Sequence, residues 1–171
     1  MAYSYEPHYW EDFEVGQTFE TVGRTVTESD FVFHSMFAGD WTELHTNREF
    51  AEDGPFDGRV AHGPMTFVLA TGFVYRCGIV ERTVYAFLGM NYMDIPNPVA
   101  TNDTISMEME VMDKKRVGSV DGADMVTIDS DGADMVTIDS KVTNQDGEAV
   151  FAGDMKFLVK NKGEWDEETH P

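Results

Sequence analysis

The sequence predicts an α+β fold in which one long antiparallel sheet wraps around a single buried helix. Three observations carry that expectation. Gly63-Pro64 opens the most apolar stretch of the chain, and apolar residues continue all round it to Cys77. Residues 104–112 alternate strictly, with Ile105, Met107, Met109 and Val111 on one face and Ser106, Glu108 and Glu110 on the other. That is the period of a half-buried strand. The other strand-like runs are joined by short connections, which suit antiparallel pairing.

The elements run in order along the chain. Residues 1–16 form an arm with an entry turn at Val15-Gly16, and the β-branched run from Thr18 to Thr27 suits one strand. Thr27 and Asp30 resemble a capping box with Asp in the acidic position, opening a helix over 28–38 that Gly39 ends. Residues 39–46 read as a loop, 47–52 as a short helical turn, and 53–62, with Gly54, Pro55 and Gly58, as a second loop. Pro64 fits the first position of the next helix, where its missing N–H costs nothing. Met65, Phe67, Val68, Leu69, Ala70, Phe73 and Val74 make that helix apolar on every side, the pattern of full burial, and Gly78 ends it.

Val84 to Asp94 reads as one strand, closed by Pro96 and Pro98. Two more strands are predicted over 124–144 and 149–160, around a turn at Gln145-Asp146-Gly147. The chain then forms a single domain over 1–171, with the arm 1–8 and the acidic tail 162–171 peripheral. The decapeptide DGADMVTIDS occurs twice in succession, at 121–130 and 131–140. Solenoid repeats are longer and diverge, so this is not one; a recent duplication or an error in the sequence accounts for the identity. One copy is expected to loop out or to form a hairpin through Asp129-Ser130-Asp131-Gly132, because one added strand would reverse the chain.

Charge narrows the class of partner. Asp and Glu number 32 against 12 Lys and Arg, a formal charge of −20. Nucleic acid and anionic membranes would be repelled. Such self-repulsion fits a salt-rich cytoplasm, where screening acts over only ~3 Å at 1 M. Cys77 is the only cysteine, so neither an intrachain disulfide nor a Cys-based metal cluster is available. No apolar run reaches the ~20 residues of a membrane span, and Met1 to Trp10 lacks a basic-then-apolar leader pattern. A soluble cytoplasmic protein is the expectation.

Two segments carry candidate chemistry. In Gly39-Asp40-Trp41-Thr42-Glu43-Leu44-His45, a carboxylate and an imidazole lie five apart after a helix. Meeting at one water, they can take a proton and return it elsewhere. On spacing alone, Asp40 is equally a helix-end cap and His45 a structural histidine. The second segment, Val60-Ala61-His62-Gly63-Pro64-Met65, places unpaired N–H groups and the positive dipole end of a buried helix where an oxyanion can develop. Gly63 lets a ligand carbonyl approach closely, and is equally a plain turn residue. His34 reads as structural; His8 and His170 lie in terminal segments.

Together these residues resemble the MaoC-like, or R-specific enoyl-CoA hydratase, family. Its pattern G-D-x-N-P-aliphatic-H-x-D-P is matched at Gly39, Asp40, Leu44 and His45, and its later aliphatic-x-H-G segment at Ala61-His62-Gly63. Trp10-Glu11-Asp12-Phe13 with Val15-Gly16 is similar to the family's N-termini, and Ala100 to Thr104 to its turn before a long strand. The likeness spans about residues 9–160. Thr42-Glu43 stands where the family has Asn-Pro, and Asn47-Arg48 where it has Asp-Pro.

The resemblance implies a hot-dog fold and syn addition of water to a trans-2-enoyl-CoA, giving an R-3-hydroxyacyl-CoA. In that reading Asp40 and His45 are the acid–base pair and Gly63 N–H is the oxyanion donor, with His62 and Thr42 as further candidates for substrate contact. CoA is part of the substrate, and neither a metal nor a redox cofactor is called for. The alternatives are a hot-dog acyl-CoA thioesterase and a non-catalytic acyl-CoA-binding protein. Residues 64–77 lack the Asp or Glu that one type of thioesterase carries on this helix, and retention of Asp40 and His45 weighs against a non-catalytic role. An open sheet edge predicts a homodimer or an assembly of dimers.

Overall fold

A computed structural model describes residues 7–116 and 133–162. A single 3-10 turn at Trp10–Asp12 precedes two short strands, β1 (Thr18–Glu20) and β2 (Arg24–Thr25). Three helices come next: α1 (Glu28–Ala38), α2 (Glu43–Thr46) and α3 (Arg48–Glu52). The central helix α4 spans Gly63–Arg76, and the remainder is strand: β3 (Val84–Gly89), β4 (Met93–Asp94), β5 (Thr104–Lys115), β6 (Ala133–Thr143) and β7 (Ala149–Lys160).

The strands form one sheet in the order β1-β5-β6-β7-β3, with β2 also on β5 and β4 also on β7, and every pairing is antiparallel. The alternation in β5 is the sequence pattern made real: Ile105, Met107, Met109 and Val111 are all buried. They join Val136, Ile138, Val142, Phe151, Met155 and Phe157 from β6 and β7 in one core with Met65, Ala70, Phe73 and Val74 of α4. A sheet laid around one apolar helix is the α+β hot-dog arrangement the sequence predicts.

Several elements differ from the sequence reading, each for a tertiary reason. The expected strand 18–27 is two strands broken at 21–23, where Thr21 leaves regular pairing and its hydroxyl accepts Met107 N–H at 2.9 Å. The expected strand 84–94 breaks after Gly89. There Asp154 of β7 accepts the N–H groups of Asn91 and Tyr92, at 2.7 and 2.9 Å, and pins the chain into a bend. The expected loop 39–46 contains the helical turn α2. Finally, α4 is not buried all round: Pro64, Val68, Gly72 and Tyr75 lie along an exposed stripe, with Val68 53% exposed.

Other readings hold closely. α1 covers 28–38, with Thr27 N–H and hydroxyl donating to Asp30 Oδ2 at 2.7 and 2.8 Å. The β6–β7 turn falls at Gln145 to Gly147, where Asn144 Oδ1 accepts the N–H groups of Asp146 and Glu148. Residues 133–140 of the second decapeptide lie in β6, between β5 and β7. The first copy, the 129–132 hairpin and the acidic tail fall outside the described residues. Among the described residues, no helix is long and apolar enough to cross a membrane.

Candidate active site

The site is assembled where α1 ends and α4 begins. Gly39 stops α1 in the left-handed conformation (φ 73) while its N–H still donates to Ser35 O at 2.9 Å. Such a conformation favours glycine, since a Cβ would crowd the backbone. Asp40 therefore leaves the helix at a fixed angle. Its Oδ1 accepts both the N–H and the hydroxyl of Thr42. These two bonds, the hydroxyl first, hold the carboxyl below the ordinary carboxylate range, and the nearby histidines add to the effect. Asp40 is thus ionised at neutral pH.

Thr42 also opens α2, which carries His45. His45 Nδ1 lies 2.7 Å from Val60 O. A carbonyl only accepts, so Nδ1 carries a proton and Nε2 is the nitrogen left to meet a ligand. Val60 is itself fixed by a bridge to Ala100, and Ala61 N–H donates to Val99 O at 2.7 Å. The imidazole is thereby anchored to the strand-like segment that leads into α4.

His62 caps the entry to α4 and is 1% exposed. Its Nε2 donates to the carbonyl of Asp40 at 3.1 Å and lies 3.4 Å from Ser35 Oγ. Its ring centroid is 3.8 Å from that of His45 and 4.6 Å from that of His34. Burial pushes the His62 imidazole below its usual pKa, and does the same to His34. Burial thus favours the uncharged form of both rings.

The structure thus brings Asp40, His45 and His62 together: one donor atom from each lies within 4.8 Å of the others. Thr42 supports Asp40 through its hydroxyl. Gly63 is the first residue of α4, so its N–H has no partner inside the helix. A Cβ on Gly63 would meet Ile95 Cδ1 at 3.2 Å, so packing also favours glycine there. The Glu43 carboxylate accepts from Asn47 Nδ2 at 2.8 Å. Sequence reasoning missed Ser35 and the carbonyl of Val60. A backbone carbonyl has no residue signature, and Ser35 sits 27 positions from the ring it meets.

An ionised carboxylate and an imidazole nitrogen, side by side at a helix N-terminus, can hold one water and move its proton. The N–H and dipole of the helix favour negative charge on a neighbouring oxygen.

Known proteins resemble the chain in sequence and in fold. The MaoC-like domain model matches residues 12–130. The chain is 32% identical over 101 residues to Protein MaoC of Klebsiella aerogenes, covering 59% of this chain and 30% of that protein. It is 31% identical over 103 residues to 3-hydroxybutyryl-CoA dehydratase of Methylorubrum extorquens, covering 60% of this chain and 63% of that one. The matches therefore span less than two thirds of either relative. A monoamine oxidase regulatory protein from Archaeoglobus superposes with a TM-score of 0.76 and 28% identity, over 91% of this chain and 96% of that one. Fold and sequence match agree, and the chain belongs to the MaoC-like domain family.

Proposed function

We propose that the protein is an acyl-CoA hydratase/dehydratase, adding water to a trans-2-enoyl-CoA to give an R-3-hydroxyacyl-CoA. The observation that carries this reading is the convergence of an ionised Asp40 and Nε2 of His45 beside the first turn of α4. A dehydratase among the relatives supports it. One water held by both groups turns its oxygen toward C3 of the enoyl chain. One of its protons passes through the pair and returns to C2 on the same face, so addition is syn. Gly63 N–H donates to the thioester oxygen and stabilises its charge as the enolate forms. No metal or redox cofactor enters this step, and CoA belongs to the substrate.

The working unit in this proposal is a homodimer in the cytoplasm. β3 lies at an edge of the sheet, pairs only with β7 among the described strands, and exposes Tyr85, Phe87 and Leu88. The exposed stripe of α4 adds Val68 and Tyr75. A second copy would cover both the edge and the stripe. Light scattering should give twice the protomer mass.

The test of activity is hydration of crotonyl-CoA, followed as loss of enoyl absorbance in high salt. Asp40→Asn and His45→Gln should each lower kcat by at least about a hundredfold, the size of a lost acid–base contribution. Unchanged turnover in either variant sinks the mechanism. Release of free CoA thiol without hydration would identify a thioesterase instead.

A further inference from the structure

Gly63 has a neighbour that the proton transfer does not use. A Cβ built on Gly63 would lie 3.2 Å from Ile95 Cδ1, and Ile95 is only half-buried. In a helix the Cα–Cβ bond tilts toward the N-terminus, the direction in which the first N–H groups also point. Ile95 therefore stands at the mouth of α4, beside the position a thioester oxygen takes on Gly63 N–H.

The segment that carries Ile95 is tied down on both sides. Ahead of it, Met93 and Asp94 pair with Gly153 and Ala152 of β7. Asp154 accepts the N–H groups of Asn91 and Tyr92, and the Tyr92 hydroxyl donates to Asp139 of β6. Beyond it, Pro96 restricts the backbone, and Asn97 Nδ2 donates to Ala149 O at 2.8 Å. Gly153 lets the segment sit close on β7, since a Cβ there would lie 3.0 Å from Tyr92 O. Ile95 is thus held as a wall at the site.

We propose that Ile95 sets the substrate class of the site: it admits enoyl chains that carry hydrogen at C2 and rejects those that carry a methyl group there. The inference rests on the hydratase reading. C2 is bonded to the thioester carbonyl carbon, so a substituent on it lies next to the oxygen held by Gly63. Cδ1 of Ile95 already fills the space beside Gly63, and its anchored backbone keeps the side chain from retreating. One extra carbon in such a pocket changes kcat/KM by about 10- to 200-fold.

The test compares hydration of crotonyl-CoA and trans-2-methylcrotonyl-CoA as a ratio of kcat/KM, so that intrinsic reactivity cancels between variants. Ile95→Val deletes Cδ1 alone. It should move the ratio toward the methylated substrate by at least roughly tenfold, with crotonyl-CoA turnover retained. Ile95→Ala should move it further; if that variant fails to fold, Ile95→Val carries the comparison. Met93→Ala, an exposed position on the same segment, should leave the ratio where it is. An unchanged ratio in the Ile95 variants overturns the proposal. So does an equal rise in Met93→Ala, which reports loosening of the segment, or an equal loss of kcat/KM for both substrates. A wild type that hydrates neither substrate overturns the hydratase reading and the proposal with it. One that hydrates crotonyl-CoA while the ratio stays fixed in the variants overturns the proposal alone.

Discussion

At Asp40 one carboxylate oxygen takes both donors of Thr42, and that oxygen belongs to the group expected to handle the proton. Thr42→Val removes the hydroxyl, the largest cause of the lowered pKa. The carboxyl should then move back toward its ordinary range, and the acid limb of the kcat/KM profile should shift to higher pH. Thr42→Ser should keep the limb where it is. A pH–rate series on the three proteins reads this directly. His62 acts differently. It touches Asp40 through its backbone and His45 through its ring face, so His62→Ala should lower kcat more than it raises KM, by loosening both members of the pair at once. The pair itself was legible because Asp40, His45 and Gly63 fall in a spaced pattern. Its supports were not: they depend on which carbonyl lies 15 residues away in sequence and 2.7 Å away in space.

Among the elements, α1 shows what local chemistry can specify. Thr27, Asp30 and Gly39 fix both its ends, and each acts within a few residues of itself. Gly39→Ala forces a Cβ into the left-handed region, where it crowds only its own local backbone and meets no other element within 4 Å, so the penalty is conformational. It should destabilise the fold by about 1–2 kcal/mol in urea unfolding, and lower turnover because Asp40 leaves the helix at that residue. The strand breaks were not legible. Val84 to Asp94 offers only Gly89, at φ 120, as a local signal, and the bend after it is held by Asp154, 62 and 63 residues beyond the two N–H groups it accepts. The exposed stripe of α4 teaches the reverse lesson. The apolar pattern reads as a helix covered on every side, and the sheet of one protomer covers only part of it, leaving Val68 and Tyr75 exposed. In the core, Phe73→Ala should cost about 3–5 kcal/mol, since that ring is 2% exposed between helix and sheet.

For the whole molecule, the formal charge of −20 sets the conditions under which any stability is measured. The melting temperature should rise steeply with added KCl and level off once screening is complete. At high salt the pH response is then set by individual groups. His34 and His62 are held below their unfolded pKa by burial, so the unfolded chain binds more protons below about 6.5 and stability falls as pH drops from there. Asp12, Glu28, Asp30 and Asp154 are also lowered, by hydrogen bonds and ion pairs that outweigh burial. Their contribution is present above the unfolded carboxylate range and is lost as pH falls through their folded values, giving a second decline below about 4. A melting series against pH in concentrated KCl should show both steps.

β6 has one further consequence, which concerns how the chain finds its pairing. Residues 123–130 and 133–140 are identical, so a folding chain meets the same eight-residue strand sequence twice, ten positions apart. Those eight residues cannot tell the two registers apart. The discrimination falls to the three residues after each copy: Lys141, Val142 and Thr143 in one case, Asp131, Gly132 and Ala133 in the other. Val142 is fully buried and lies opposite Met107 and Phe151, so the competing register would place a glycine in that position. Val142→Gly removes the one buried side chain in that distinction and should raise the population of the competing register, seen as doubled amide resonances. Deleting ten residues from either copy yields one and the same shorter chain, which keeps every residue of β6 and removes the competitor.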